Sequence, residues 1–549
     1  MTHFSRRAAV RALVLFALFA LFAARAAAQD TSAPAYKIAY RLSMPKPESH
    51  LFNVQMDVSG MAGADHVDFQ MPRWSPGRYA VFDFAKNVQE FGVRELAPPN
   101  ARCPALSSTG QLERLDTQTW RVYLCGSTDV TVGYKVYADD LSGTFSQLDR
   151  RHANFNGGSV FVYVVGHKQD PTTLKIDAPA GWKIINGQSK SVEQSEFRFP
   201  NYDVLIDTPT EVAPDFNVES FEVGGKTYRV VVHSFGDEGG RRAELAKQVE
   251  RIVRTETAQM PAPDYEQYTF LFHFDPTAQR GDGMEHLNST QIIETGALAD
   301  RGVFDGAISA AAHEFFHVWN VKRMRPAGLG PWDFTHPLVT RGLWIAEGFT
   351  NYYGKLSQRR AGLWDDEQLF RSYAGAIGGI ENAPGSKLTS AVEASVLAPF
   401  IDRASSDQHT NLQNTVVSYY PKGETLAVAL DLLIRGRSKG RASLDAVMRR
   451  AYEEFYLKSA SDSYYLKGHA YTVEEFQRLA SEVAGFDLSD FFRRHVYGVE
   501  PPPYDEAFSY VGLRLVRTPD GPRTTYRIEK DDKATPEALA LRAAWLAGK

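Results

Sequence analysis

The chain has 549 residues, of which 43% are hydrophobic and 23% are charged. These proportions are typical of a soluble globular protein and exclude a mainly disordered chain. The 61 Lys and Arg residues against 66 Asp and Glu residues give a net charge of −5, so no basic surplus favours nucleic-acid binding. At about 100–200 residues per domain, the length predicts more than one hydrophobic core.

Residues 1–28 have the pattern of a secretory signal peptide. Three arginines precede an apolar run at 12–24, and small residues lead up to Ala28. The run of about 13 residues is shorter than the roughly 20 that span a bilayer, which argues against a membrane anchor. We therefore expect cleavage after Ala28 and export, to a bacterial periplasm, with no membrane attachment of the mature chain.

Residues 29–205 are expected to form an N-terminal β domain. Segments such as 51–58 and 130–137 are β-branched or alternate between apolar and polar residues, and turn-prone residues separate them. This pattern predicts a β-sandwich-like domain.

The chain has two cysteines, Cys103 and Cys125, which flank strand-like sequence at 112–124. Because an exported protein matures in an oxidising compartment, one disulfide between them is expected. Two buried thiols are the alternative. Two cysteines are too few for a CxxC metal site.

Residues 206–500 mix strands and helices. Segments 228–233 and 268–274 are strand-like, and 241–257 has the spacing of an amphipathic helix. Helical periodicity dominates from about 305 to 495. A small sheet followed by a helical half gives an α+β multidomain chain, and a short polar tail follows at 501–549.

The strongest chemical signal is an HExxH motif at His313, Glu314 and His317. Positions i and i+4 share one face of a helix, so both imidazoles can bind one metal ion, and Glu314 can take a proton from a metal-activated water. Asp305 and Ser309 are possible N-caps of this helix. The alternative is a buried helix with two hydrogen-bonded histidines.

A catalytic zinc ion needs a third protein ligand. Asn320 and Arg323 stand where the extended HExxHxxGxxH motif has Gly and His, so that ligand lies elsewhere. Asp333, His336 and Glu347 are the candidates downstream. Glu347 is favoured because it lies in helix-like sequence among large apolar residues, where a carboxylate needs a cationic partner. One Zn²⁺ ion is therefore expected on His313, His317 and Glu347.

Several segments, in the order in which the family has them, resemble the glycyl aminopeptidase family of thermolysin-like (gluzincin) zinc metallopeptidases. The resemblance covers about residues 35–515. The matching segments are WSPGRY at 74–79, GMEHLNS at 283–289, HEFFHVWN at 313–320, LWIAEGFTNYY at 343–353, YYPKG at 419–423 and FFRRHVYG at 491–498. It implies an N-terminal β domain at 29–205 and a thermolysin-like zinc peptidase domain at 206–500.

The resemblance also implies roles for residues outside the metal site. Glu285 would lie on an edge strand and bind the free α-amine of a peptide, and His286 beside it is a further substrate-binding candidate. Tyr420 would stabilise the tetrahedral oxyanion, with Tyr419 as the competitor. The alternatives are a Glu285 paired with a basic neighbour and two tyrosines that only pack in the core.

The family usually carries a C-terminal PDZ domain, and residues 501–549 are about half of what such a domain needs. We therefore expect the PDZ domain to be absent or truncated. The remaining histidines, His233 and His273 among them, are scattered in the sequence and are interpreted as structural or surface residues.

Together these observations predict a zinc-dependent aminopeptidase that removes N-terminal residues, Gly or another small residue, from peptides, with a zinc-activated water as the nucleophile. A zinc endopeptidase of the same fold is one alternative. A non-catalytic peptide-binding protein is the other, which the presence of every catalytic residue type disfavours. A peptide is the expected partner, and nucleic acid is not.

Overall fold

The computed structural model describes residues 35–97, 111–402, 412–461 and 467–549. The expected signal peptide and Cys103 lie outside these residues, and Cys125 is disulfide-bonded. Among the described residues, no helix combines the length and the apolar character that crossing a membrane requires.

The N-terminal half is built from three β-sheets. The largest has the strand order β13-β11-β1-β2-β7-β4, and the two four-stranded sheets have the orders β10-β3-β6-β5 and β12-β14-β9-β8. Alternate residues of β2 are buried, as the alternating sequence predicts. The elements are β1 (Lys37–Ser43), β2 (Leu51–Ser59), β3 (His66–Gln70), β4 (Val88–Ala97), β5 (Leu112–Arg114), β6 (Thr119–Tyr123), β7 (Asp129–Tyr137), β8 (Gln147–Leu148), β9 (Ala153–Phe155), β10 (Tyr163–Val164), β11 (Thr172–Asp177), β12 (Lys183–Asn186), β13 (Glu196–Phe199), α1 (Tyr202–Ile206) and β14 (Thr210–Ala213).

A five-stranded sheet follows, with the order β15-β16-β17-β19-β18. Its three central strands are parallel, and the two outer strands are antiparallel to their neighbours. Strand β18 is therefore an edge strand of this sheet. The elements are β15 (Asn217–Val223), β16 (Lys226–Ser234), α2 (Arg242–Gln259), β17 (Gln267–Phe274), β18 (Asp282–Glu285) and β19 (Ser289–Glu294).

The rest of the chain is mainly helical, which confirms the predicted α+β architecture. Helix α3 packs against β18, β19, α2 and α5 and carries the HExxH motif. The helices are α3 (Arg301–Phe316), α4 (Leu343–Ala346), α5 (Gly348–Arg360), α6 (Asp366–Glu381), α7 (Ala391–Val396), α8 (Ala398–Ile401), α9 (Leu412–Thr415), α10 (Tyr419–Arg437), α11 (Leu444–Ala451), α12 (Val473–Ala484) and α13 (Ser489–Phe491). Short π-helical turns, Tyr452–Leu457 and Phe492–Val496, extend α11 and α13.

The two halves share one continuous apolar core. A loop of the N-terminal half reaches the helical half directly, because Trp74 Nε1 donates to the backbone carbonyls of Asp333 and His336 at 3.0 and 2.7 Å. The N-terminal half is therefore close enough to contribute side chains to a site in the helical half.

Residues 501–549 fold onto the helical half rather than forming a free polar tail. They form α14 (Tyr504–Ser509), the hairpin β20 (Leu513–Asp520) and β21 (Arg523–Lys530), and α15 (Pro536–Ala547). Trp545 is fully buried, and its Nε1 donates to Tyr352 Oη on α5 at 2.8 Å. This terminal helix therefore supports the helix that follows Glu347.

Candidate active site and metal centre

His313, His317 and Glu347 point their side chains at one another. The two Nε2 atoms lie 3.1 Å apart, and they lie 3.5 and 3.4 Å from Glu347 Oε2. Donor atoms around a tetrahedral Zn²⁺ with bonds of about 2.0–2.1 Å are about 3.3 Å apart. The three donors therefore have the chemistry and the spacing of a His₂Glu zinc site. Although burial would raise the pKa of Glu347, the two imidazoles hold it well below its usual range, so the carboxylate stays ionised.

Backbone contacts fix the orientation of these ligands. His317 Nδ1 lies 2.7 Å from the carbonyl oxygen of Asn320, which directs Nε2 into the site. The Asn320 side-chain amide donates to the carbonyls of Ile345 and Ala346 at 2.9 and 3.2 Å. Because Glu347 follows directly, the end of α3 and the third ligand are held together by one side chain.

Tyr79 of the N-terminal half contacts the candidate metal ligand Glu347, which the local sequence pattern did not reveal. Its buried hydroxyl donates to Glu347 Oε1, leaving Oε2 facing the two histidines. The tyrosine lies 268 positions before its partner, so only the resemblance of the surrounding WSPGRY segment marked it. Hydrogen bonds of this kind orient a metal ligand and tune its basicity.

Glu314 lies beside the three donors and is 7% exposed. Its Oε2 has no hydrogen-bond partner among the described residues. Burial raises the pKa of Glu314 well above its usual range; His317 opposes this effect, and the charges of Glu285 and Glu347 reinforce it. A buried carboxyl with a raised pKa and a free oxygen is suited to accept and return a proton.

The edge strand β18 passes directly over Glu314. A Cβ atom on Gly283 would lie 2.2 Å from Glu314 Oε1, so a larger residue at this position would displace the Glu314 carboxyl group. Arg78 of the N-terminal half holds the strand in place: it forms a buried ion pair with Asp282, and its Nη2 donates to the carbonyl of Gly283 at 3.1 Å. The N-terminal half therefore positions the strand that borders the cleft.

Glu285 ends this strand and is 5% exposed. Its carboxylate lies within 4.8 Å of donor atoms of Glu314 and His317. Within the described residues, no Arg or Lys forms an ion pair with Glu285, which argues against the alternative of a basic neighbour. Glu285 is therefore a buried carboxyl group beside the three candidate donors, and a cationic ligand group would complete its environment.

Tyr419 and Tyr420 begin helix α10 after the N-cap Ser418. Tyr420 is half-buried and its ring centre lies 6.3 Å from that of His313, whereas Tyr419 is 1% exposed and stacks behind it at 4.9 Å. Burial first, and then the charge of Glu347, raise the pKa of Tyr420 well above its usual range. Tyr420 therefore remains a protonated donor that faces the cleft.

An open cleft of about 350 Å³ lies in front of these groups. Glu314, His313 and Tyr420 line it together with Gly283 and Arg78. The site is therefore assembled from α3, α10, the edge strand and a loop of the N-terminal half.

The other candidates of the sequence analysis lie outside this arrangement. His286 Nδ1 lies 3.0 Å from Asp207, which also accepts a hydrogen bond from Lys322 Nζ at 2.9 Å, so its ring takes part in a buried polar network. Asp333 and His336, the alternative third ligands, pair with each other at 2.8 Å on an exposed loop. The structure thus brings together His313, His317, Glu347, Glu314, Glu285 and Tyr420, and it does not bring His286 to the donors.

Two family descriptions match the chain. "Peptidase M61 N-terminal domain" matches residues 39–214, and "M61 glycyl aminopeptidase" matches residues 307–426. Together they cover more than half of the chain. The chain belongs to the M61 glycyl aminopeptidase family. It is therefore a metallo-aminopeptidase, as predicted.

A solved structure described as an aminopeptidase N family protein from Idiomarina loihiensis has a similar fold. It is 25% identical, with a TM-score of 0.77, and the match covers 88% of this chain and 79% of that one. An M1 zinc metallopeptidase from Deinococcus radiodurans is more distant, at 14% identity and a TM-score of 0.48, covering 86% of this chain and 96% of that one. A search of curated proteins finds no significant match.

Proposed function

We propose that this M61 family member is an exported zinc aminopeptidase that releases the first residue of a peptide, with glycine or another small residue preferred. The observation that carries the proposal is the convergence of three metal donors, spaced 3.1–3.5 Å apart, beside the free carboxyl oxygen of Glu314. The family description supports glycine as the first residue.

His313, His317 and Glu347 would hold the catalytic Zn²⁺ ion. When bound, zinc supplies a Lewis acid that polarises the scissile carbonyl and makes a nearby water more acidic. Two imidazoles and one carboxylate would leave a position free for substrate, as a catalytic site requires.

Glu314 moves the proton in this proposal. Its Oε2 takes a proton from the attacking water and later delivers it to the leaving amine. The raised pKa supports this role, because the group must hold the proton between the two steps. Gly283 has no side chain and therefore leaves room for the carboxyl group of Glu314.

Glu285 binds the substrate's α-ammonium group. It is a buried carboxylate without a basic partner in the described part of the chain, so a peptide N-terminus would supply the missing positive charge. The edge strand β18 offers backbone groups along which an extended peptide can lie. When Glu285 binds the N-terminus of the peptide, no residue can extend beyond that N-terminus. The enzyme is therefore an exopeptidase.

The Tyr420 hydroxyl donates a hydrogen bond to the oxyanion that forms at the scissile carbonyl. Its position at the start of α10 supports this role, because the helix dipole also favours negative charge there.

The test is hydrolysis of glycyl-p-nitroanilide by the purified full chain before and after chelation. We expect turnover that is lost on chelation and restored by Zn²⁺. Turnover that survives the complete removal of metal, confirmed by elemental analysis, would contradict the proposal.

A further inference from the structure

A second cluster of possible metal ligands lies away from the cleft. His152 Nδ1 and His233 Nδ1 lie 2.9 and 2.6 Å from Glu211 Oε1, and His273 Nε2 lies 2.8 Å from Glu211 Oε2. All four residues are at most 1% exposed. None of them has a role in the proposed aminopeptidase reaction.

The four side chains come from both halves of the molecule. His152 directly precedes β9, and Glu211 lies in β14, which pairs with β9 in the N-terminal half. His233 and His273 lie side by side on the parallel strands β16 and β17 of the five-stranded sheet. The cluster therefore spans the seam between the N-terminal half and the sheet that supports the active site.

The outer nitrogens of two rings differ. His233 Nε2 is buried and forms no hydrogen bond within the described residues, although Asp215 Oδ1 lies 3.2 Å away. His152 Nε2 lies 2.9 Å from Gln147 Oε1. Histidine ligands of metals usually donate their outer N–H to a carboxylate or a carbonyl oxygen in this way.

The cluster combines one buried carboxylate with three imidazoles, a set of donors that first-row transition metals accept. Within the described residues, no Arg or Lys forms an ion pair with Glu211. Besides the three imidazoles, the Asn154 side-chain amide donates to Glu211 Oε2 at 3.1 Å, so the neighbours of this buried carboxylate carry no fixed positive charge. A divalent cation would be strongly stabilising in such an environment.

The spacing also suits a metal centre. With bonds of about 2.0–2.1 Å, ligand atoms 90° apart are separated by about 2.9 Å. The three carboxylate–imidazole separations of 2.6–2.9 Å are near this value, and both oxygens of Glu211 take part, as in a five-coordinate site with a chelating carboxylate. The same separations suit N–H···O hydrogen bonds, so metal content is the measurement that decides.

We propose that His152, Glu211, His233 and His273 bind a second divalent transition-metal ion, best suited to Zn²⁺. Imidazole and carboxylate donors suit Zn²⁺ among the first-row ions. The site is structural, because four protein ligands close it, and its role is to tie the N-terminal half to the five-stranded sheet. It thereby holds in place the half that supplies Tyr79 and Arg78 to the cleft.

The experiment is elemental analysis, from manganese to zinc, of the full chain after gel filtration. We expect two equivalents of metal in the wild type. His317→Ala should lose the catalytic ion and keep one equivalent, and His233→Gln should lose the second ion and keep one equivalent. His66→Gln, at an exposed histidine, is the matched control and should keep two.

The outcomes separate this site from the aminopeptidase proposal. One equivalent in the wild type and none in His317→Ala would overturn the second site and leave a proton-sharing cluster in its place. One equivalent in both proteins would support the second site and contradict the catalytic zinc. If His233→Gln does not fold, the comparison of the wild type with His317→Ala still decides.

Discussion

Glu314, Glu285 and Glu347 place three buried carboxylates around two imidazoles. Like charges at this distance oppose one another, and the histidines, together with Arg78 near Glu314, offset them in part. In the proposed function, the metal ion and the substrate's α-ammonium group supply the remaining positive charge. The consequences can be tested one side chain at a time.

The first test at the residue scale is Glu314→Gln. The amide keeps the size of the side chain but cannot accept and return a proton, so we expect kcat to fall by about 10²–10⁴-fold with the metal content unchanged. Steady-state kinetics and elemental analysis measure the two effects. A variant with near-normal turnover would remove Glu314 from the mechanism.

The second test at this scale is Tyr79→Phe. Loss of the hydrogen bond to Glu347 should weaken metal affinity by about 10–100-fold, measured by competition with a chromophoric chelator. Tyr163→Phe is the matched control, because its buried hydroxyl donates to Gln70 and touches no metal ligand. Equal affinities in both variants would show that Tyr79 only packs.

At the scale of helices and strands, the residues at helix ends position the side chains of the site. The sequence pattern predicted that Glu347 lies within one helix. In the structure it lies at the junction of α4 and α5. The HExxH helix likewise begins at Arg301 and not at Asp305 or Ser309, because Asp305 pairs with Arg301 at 2.9 Å inside the helix. Local patterns predicted these helices but not their limits.

The contact between α4 and α10 gives a prediction at this scale. A Cβ atom on Gly423 would lie 1.9 Å from the carbonyl oxygen of Trp344, so Gly423→Ala must push α10 away from Glu347. We expect the free energy of unfolding to fall by about 1–3 kcal/mol and kcat to fall as Tyr420 moves.

The matched control for this prediction is Gly375→Ala on α6. Nothing lies within 4 Å of a Cβ atom there, so alanine should raise the free energy of unfolding by about 0.5–1 kcal/mol. Urea denaturation and steady-state kinetics measure both variants. A Gly423→Ala protein that behaves like this control would contradict the close approach.

At the scale of the whole molecule, distant segments converge on one cleft. The N-terminal half supplies Arg78 and Tyr79, and the C-terminal helix α15 packs on the helix that follows Glu347. Trp545 is the anchor of that helix, and its backbone carbonyl accepts a hydrogen bond from Arg360 Nη2 at 2.9 Å. The active site therefore depends on both ends of the described chain.

Trp545→Ala tests this dependence. Removal of a fully buried indole should lower the free energy of unfolding by about 3–5 kcal/mol, measured by chemical denaturation. Leu539→Ala on the same helix is the control, because Leu539 is 42% exposed and should change stability little. A small effect of Trp545→Ala would mean that α15 contributes little to the fold.

The sequence predicted the parts of the site whose residues are close in the chain. His313 and His317 are one helical turn apart, and Glu347 follows within a segment whose apolar neighbours predicted its burial. Tyr79 and Arg78 could not be found in this way, because their partners lie more than 200 positions away. His233 and His273 were interpreted as scattered, because only the pairing of β16 with β17 places them side by side.

The measurement that tests the central claim most directly compares glycyl-p-nitroanilide with its N-acetylated form in the wild type and in Glu285→Gln. If Glu285 binds the α-ammonium group, the wild type should cleave only the free amine, and Glu285→Gln should lose most of its kcat/KM for that substrate. Equal cleavage of both substrates by the wild type would contradict the exopeptidase and leave an endopeptidase on the same metal site.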